Sequence, residues 1–125
     1  MIHLDTSFLI RALLKGSDED RRLRAWLRGK TAVGASAIVW AEFLCGPVHA
    51  NDLELAMVVV GERVPFTAED AAMAASLFNG TGRRRGSLAD CMIAASAIRC
   101  SATLATANAG DFARFRPAGL LLIDV

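Results

Sequence analysis

Short apolar runs that lack the in–out alternation of a half-exposed strand recur along this chain, separated by segments with helical spacing. Ile2-His3-Leu4, Thr31 to Ala35, Ala102 to Thr106 and Leu120 to Ile123 are the clearest. A strand that is apolar on both faces has to be covered on both, and parallel strands need a helix-sized crossover between them. The pattern therefore predicts an α/β fold, a parallel sheet with helices on either side. Arg63-Val64-Pro65-Phe66 adds a weaker strand, and its proline assigns it to an edge.

Helix signals fill the gaps. Thr6 or Ser7 is expected to cap residues 8–14, and Ser36 residues 37–45. Ser17 and Asp20 have capping-box spacing at the head of a helix that Gly29 ends. Further helices are expected over 49–60, from 67 to about 78, and from 88 to about 100 after Ser87. The last of these is apolar almost all round, which makes it central and buried. Residues 79–86 and 108–112 read as loops.

The chain has 125 residues, the size of one domain, and 54% of them are hydrophobic, enough to fill a core. We read residues 1–125 as a single unit. A net charge of +1 gives no global field, and the basic charge is nearly all arginine. Cys45, Cys91 and Cys100 form no C-x-x-C pair, which argues against a zinc site or a disulfide framework. No secretory h-region is seen and no apolar run nears the ~18 residues of a membrane helix, so a cytoplasmic location is expected.

Most of the thirteen acids have ordinary explanations. Asp18, Glu19, Asp20, Glu69 and Asp70 fall in first helical turns, where carboxylates suit the dipole and are expected to be solvated. Four others keep apolar company: Asp5, Glu42, Asp90 and Asp111. Each has a plain alternative. Asp5 can cap a helix, Glu42 can lie on an exposed stripe, Asp90 can complete a capping box with Ser87, and Asp111 can be a turn residue. Asp5, Asp90 and Asp111 are each placed at a strand's carboxyl end or in the following first turn, positions that share one rim of a parallel sheet. Carboxylates crowded there repel one another unless a cation neutralises them. Oxygen ligands of this kind suit Mg²⁺ or Mn²⁺ rather than zinc. Thr6 and Thr106 can add hydroxyls and Asn108 an amide, or all three simply shape the backbone.

Leu4-Asp5-Thr6-Ser7, Ala41-Glu42-Phe43, Ser87 to Ala95 and Thr106 to Phe112 together resemble the PIN domain, in the same order and over the whole length. More narrowly, the chain is similar to VapC-type toxins of bacterial toxin–antitoxin pairs. The resemblance implies a three-layer α/β/α, Rossmann-like fold with about five strands in the order 3-2-1-4-5. It implies that Asp5, Glu42, Asp90 and Asp111 form a catalytic metal site, Asp5 and Asp90 being the most direct ligands and Thr6 and Asn108 supporting it. It also implies a Mg²⁺- or Mn²⁺-dependent endoribonuclease, a cognate antitoxin and a homodimer, to which apolar residues among 53–60 would contribute unless they are core.

Arg83-Arg84-Arg85, between Gly82 and Gly86, offers phosphate contacts for RNA, or is a solvated loop. His3 and His49 form no acid–base pair; His3 is expected to be a satisfied core histidine. A phosphoacceptor domain would need a lysine near the last strands, and none follows Lys30. A haloacid-dehalogenase-type phosphatase would need an acid where Ser7 stands, and there is no Walker-type run. The remaining alternative is a catalytically silent PIN-like module that binds RNA or protein.

Overall fold

The computed structural model describes residues 1–124; Val125, the last position of the expected unit, lies outside the described residues. Five strands form one sheet: β1 (Ile2–Leu4), β2 (Val33–Ser36), β3 (Glu62–Val64), β4 (Thr103–Thr106) and β5 (Leu121–Asp124). Their order is β3-β2-β1-β4-β5 and every pair is parallel. The helices are α1 (Thr6–Ala12), α2 (Asp18–Arg28), α3 (Ala37–Cys45), α4 (Ala50–Val59), α5 (Ala68–Gly80), α6 (Leu88–Arg99) and α7 (Ala109–Phe112), with a 3₁₀ turn at Ala113–Ala118. The result is a three-layer α/β/α arrangement with the expected strand order.

Sequence chemistry explains the layout. β1 is central and buried at all three positions, as its apolar composition requires. β3, with the proline just beyond it, is an edge strand exposed at Glu62 and Arg63. Gly34 belongs in β2 because a Cβ there would meet the Glu62 carbonyl of β3 at 3.0 Å. The core is built on Leu4, Phe8, Leu9, Val39, Leu104 and Phe115, all fully buried. Phe8 stacks on Trp26 at 5.5 Å, which fastens α1 to α2. Burying a side chain such as Phe8 contributes about 1.5–3 kcal/mol. Helix α6 is buried from Ile93 through Ala97 and packs on α5, as its composition requires.

Several local expectations are corrected. Asp5, rather than Thr6 or Ser7, caps α1: its carboxylate accepts the Phe8 amide. Ser17 caps α2, but Asp20 accepts the Gly16 amide at 2.9 Å, so the box does not close on Ser17. Thr67 and Asp70 do form a reciprocal capping box on α5. Asp111 is in the short helix α7, not in a loop.

The first-turn acids are not uniformly solvated. Glu19, Asp20 and Asp70 are buried, while Asp18 and Glu69 are exposed. Asp70 accepts from Ser96 Oγ and is bracketed by Arg99 Nε at 2.6 Å and Arg99 Nη2 at 3.1 Å, which locks α5 to α6. His3 is buried but not satisfied, since its Nε2 has no partner among the described residues. Burial, then the nearby N-terminus and Arg99, lower its pKa to about 4, so it is neutral at pH 7. Among the described residues no helix is long and apolar enough to cross a membrane.

Candidate acidic site

Parallel strands all point their carboxyl ends to one rim, and four separate elements deliver acids there. Asp5 follows β1, Glu42 comes from α3 after β2, Asp90 from the first turn of α6, and Asp111 from α7 after β4. All four line one cavity of about 300 Å³, joined by Thr6 and Asn108. The acids span residues 5 to 111, so the fold alone brings them together.

Asp5 is the buried floor, 3% exposed. Its Oδ1 accepts from the Phe8 amide at 2.7 Å and from Ser7 Oγ at 2.9 Å. Its Oδ2 accepts from Thr106 Oγ1 at 2.5 Å, and Thr106 Oγ1 in turn accepts the Asn108 amide at 2.9 Å. Thr106 is itself fully buried, so it links β1 to β4 under the cavity. Glu42 is exposed at the rim, where Thr6 Oγ1 donates to its Oε1 at 2.6 Å. Asp111 and Asn108 are exposed, and Asp90 is half-buried.

The capping-box alternative for Asp90 fails. Ser87 has helical backbone angles, φ −95° and ψ −2°, whereas a capping residue is extended. Its hydroxyl donates to the Arg84 carbonyl at 2.7 Å, and its amide donates to that same carbonyl. Asp90 is therefore left to the cavity.

The electrostatics record the crowding. Burial raises the Asp5 pKa, against the Thr106, Phe8 and Ser7 hydrogen bonds, and Glu42 adds to the rise. Asp90 is pushed up to about 6, first by burial and then by Asp111, with smaller contributions from Glu42 and Asp5. After burial, the three other acids of the cavity thus each disfavour the charge on Asp90.

Two residues escaped the sequence reading. Ser7 bridges the site, donating to Asp5 while accepting the Ala107 amide at 3.3 Å. Arg114 is the cation that pulls the Asp90 pKa back down. Its guanidinium lies 4.5 Å from the Phe115 ring centre, and its buried Nε has no partner among the described residues. Its place between Phe112 and Phe115 was the available signal. Arg83, Arg84 and Arg85 are all exposed, on the loop that enters α6.

The donor set is all oxygen, which suits a hard divalent cation. It is not drawn tight: among the described residues, no three His, Cys, Asp or Glu side chains form a ready group for one ion. Asp5 is held by its hydrogen bonds and Glu42 by Thr6, so a bound ion would have to draw the rim acids inward.

The PIN domain family model matches residues 2–116. The chain belongs to the PIN-domain family. It is similar to a chain of VapBC2 from Rickettsia felis, solved bound to a DNA fragment from its promoter. That likeness has 26% identity and a TM-score of 0.80, over 100% of this chain and 99% of the other. It is also similar to a chain of FitAcB from Neisseria gonorrhoeae, at 26% identity and a TM-score of 0.71 over 98% and 96% of the two chains. A chain of the DNA-bound VapBC from Salmonella typhimurium, 20% identical with a TM-score of 0.77 over 98% and 96%, shares the fold. Among curated proteins no sequence matches.

Proposed function

We propose that this PIN domain is a divalent-metal-dependent endoribonuclease, the toxin of a toxin–antitoxin pair. The observation that carries the reading is the delivery of Asp5, Glu42, Asp90 and Asp111, from four elements, into one cavity. Two of those acids have raised pKa values there, a strain that a cation relieves.

In this reading Asp5 and Asp90 hold Mg²⁺ or Mn²⁺ most directly, with Glu42 and Asp111 completing the set. A divalent ion held there would supply Lewis-acid chemistry, a lowered pKa for a bound water and an offset for phosphodiester charge. The chain's own contribution is placement. Thr106 and Ser7 fix Asp5, Thr6 holds Glu42 at the rim, and the Asn108 amide fixes Thr106. Arg83, Arg84 and Arg85 sit in the loop before α6, where they contact RNA phosphates. Attack by water on phosphorus would break the P–O3′ bond, the 3′-oxygen leaving as a hydroxyl and the 5′-phosphate staying on the other fragment, and this needs no histidine.

Likeness to chains of VapBC2 and FitAcB supports a cognate antitoxin as partner. A homodimer and a cytoplasmic location complete the proposal, with the exposed Leu55, Met57 and Val58 of α4 available to an interface. The second reading, a silent module that binds RNA or protein, is favoured by the open spacing of the acids. Incubating purified protein with RNA and Mg²⁺ or Mn²⁺, then sequencing the ends, separates the two. Chelator-sensitive cuts that disappear in Asp5→Asn and Asp90→Asn support the nuclease. RNA retention without cuts in either metal supports the silent module.

A further inference from the structure

The acidic cavity has a neighbour. Asn108 lines the first, while Ala107 lines a second cavity of about 430 Å³. Ser7 belongs to the first and accepts the Ala107 amide, so one thin wall separates them. The second cavity presents four charges, Arg11 from α1 and Asp18, Glu19 and Arg21 from α2.

Glu19 is only 4% exposed, yet its single bond among the described residues is to Arg11 Nη1 at 3.5 Å, the outer limit for a hydrogen bond. Buried carboxylates are ordinarily paired and hydrogen-bonded at close range. The adjacent Asp20 shows the usual arrangement, with the Gly16 amide and Arg24 Nε both at 2.9 Å. The Arg11 side chain is 62% exposed, and its other donors have no protein partner among the described residues. Arg21, on the same wall, is already tied to the Gly16 carbonyl and Asp18. The cavity thus pairs a buried carboxylate held by one long ion pair with a cation that has donors to give.

RNA bases in single strands are read through such edge contacts. Guanine places two adjacent donors, N1–H and N2–H, beside the O6 acceptor. A carboxylate takes the donors and an arginine gives to O6 or N7. Adenine lacks the paired donors, and uracil sets one donor between two acceptors. We infer that the cavity beside the acidic site is a guanine-reading subsite, in which Glu19 accepts from the base and Arg11 donates to it. Its place next to the cut rests on the ribonuclease reading above; its base preference does not.

The test is a titration of the ¹⁵N-labelled full chain, in EDTA, with 5′-GMP and separately with 5′-AMP. GMP should shift the amides of Ser17 to Arg21 and of Ala107 saturably, and AMP should bind at least about fivefold more weakly, the low end for a bidentate base contact. Glu19→Gln should remove the preference. Arg11→Ala, at an exposed position, should weaken GMP binding and decides the matter if the Glu19 variant does not fold. Equal shifts for the two nucleotides, or none at these amides, overturn the subsite. In RNA cleavage, guanine should then recur at one position beside the cut and be flattened about tenfold by Glu19→Gln. A protein that prefers GMP but cuts no RNA keeps the subsite and loses the nuclease reading.

Discussion

Asp70 and Asp90 are both carboxylates in the first turn of a helix, and the fold treats them oppositely. Asp70 is buried, but Arg99 brackets it, Thr67 donates its amide and Ser96 its hydroxyl. Burial alone would raise its pKa; those hydrogen bonds outweigh it and the pKa falls. Asp90 has burial plus three acidic neighbours, and one arginine that only partly offsets them. One group is a finished structural joint. The other keeps an unrelieved charge, which the proposed cation would offset.

The largest effect expected from this contrast is on chemistry. Asp90→Asn should lower metal-dependent RNA cleavage by more than about a hundredfold, because even an outer partner of a metal ligand costs up to about that much. Cleavage assayed across Mg²⁺ concentrations checks it; undiminished activity would break the comparison from the functional side.

Asp70→Asn should break the comparison from the structural side. Removing one partner of a buried ion pair costs about 3–5 kcal/mol, and the 30% exposure of the Arg99 side chain places the loss near the lower figure. Urea unfolding of the variant would show it. Asp90→Asn should move the midpoint the other way in metal-free buffer.

The pH dependence has a definite sign. A folded-state pKa raised to about 6 means that native Asp90 binds a proton more readily than the unfolded chain, so its repulsion is relieved as pH falls from 7 toward 4. The stability advantage of Asp90→Asn over wild type should therefore be full above pH 6 and vanish near pH 4. His3, lowered to about 4, acts oppositely: the unfolded chain takes the proton first, and stability is lost as pH falls below 6.5. The wild-type profile is flattened by the two, and only the difference between variant and wild type isolates Asp90. Asp70, with its lowered pKa, keeps its contribution above the unfolded carboxylate value and loses it only below that. Thermal unfolding between pH 4 and 7.5 measures the first two, and its extension below pH 4 measures the third.

The smallest effect concerns a cap. Ser87→Ala should cost less than Ser36→Ala, because Ser36 accepts the Val39 amide at 3.2 Å while Ser87 caps nothing. A missing cap bond typically costs about 1 kcal/mol. Equal losses would mean that spacing alone identifies caps.

That cap shows where sequence reading stops. Ser87 and Asp90 have the same spacing as Thr67 and Asp70, but only the second pair forms a box. The backbone angle that decides it, extended at Thr67 and helical at Ser87, has no local signature. The parallel sheet was legible because its strands are apolar on both faces, and the strand order because four motifs recurred in family order. The four acids stood out because their local surroundings are apolar. The burial of Asp70 was invisible because Arg99 lies 29 residues away. Arg114 was missed because its effect on Asp90 depends on where the 3₁₀ turn after α7 sits, and Glu19 because a first-turn acid looks solvated until the fold buries it.

The most direct measurement is a calorimetric titration of Mn²⁺ into metal-free protein at pH 7.5, with wild type, Asp90→Asn and Ser96→Ala compared. Wild type and Ser96→Ala should bind saturably and Asp90→Asn should bind far more weakly. No binding by wild type, or equal binding by Asp90→Asn, would contradict the claim that these carboxylates were gathered to hold an ion.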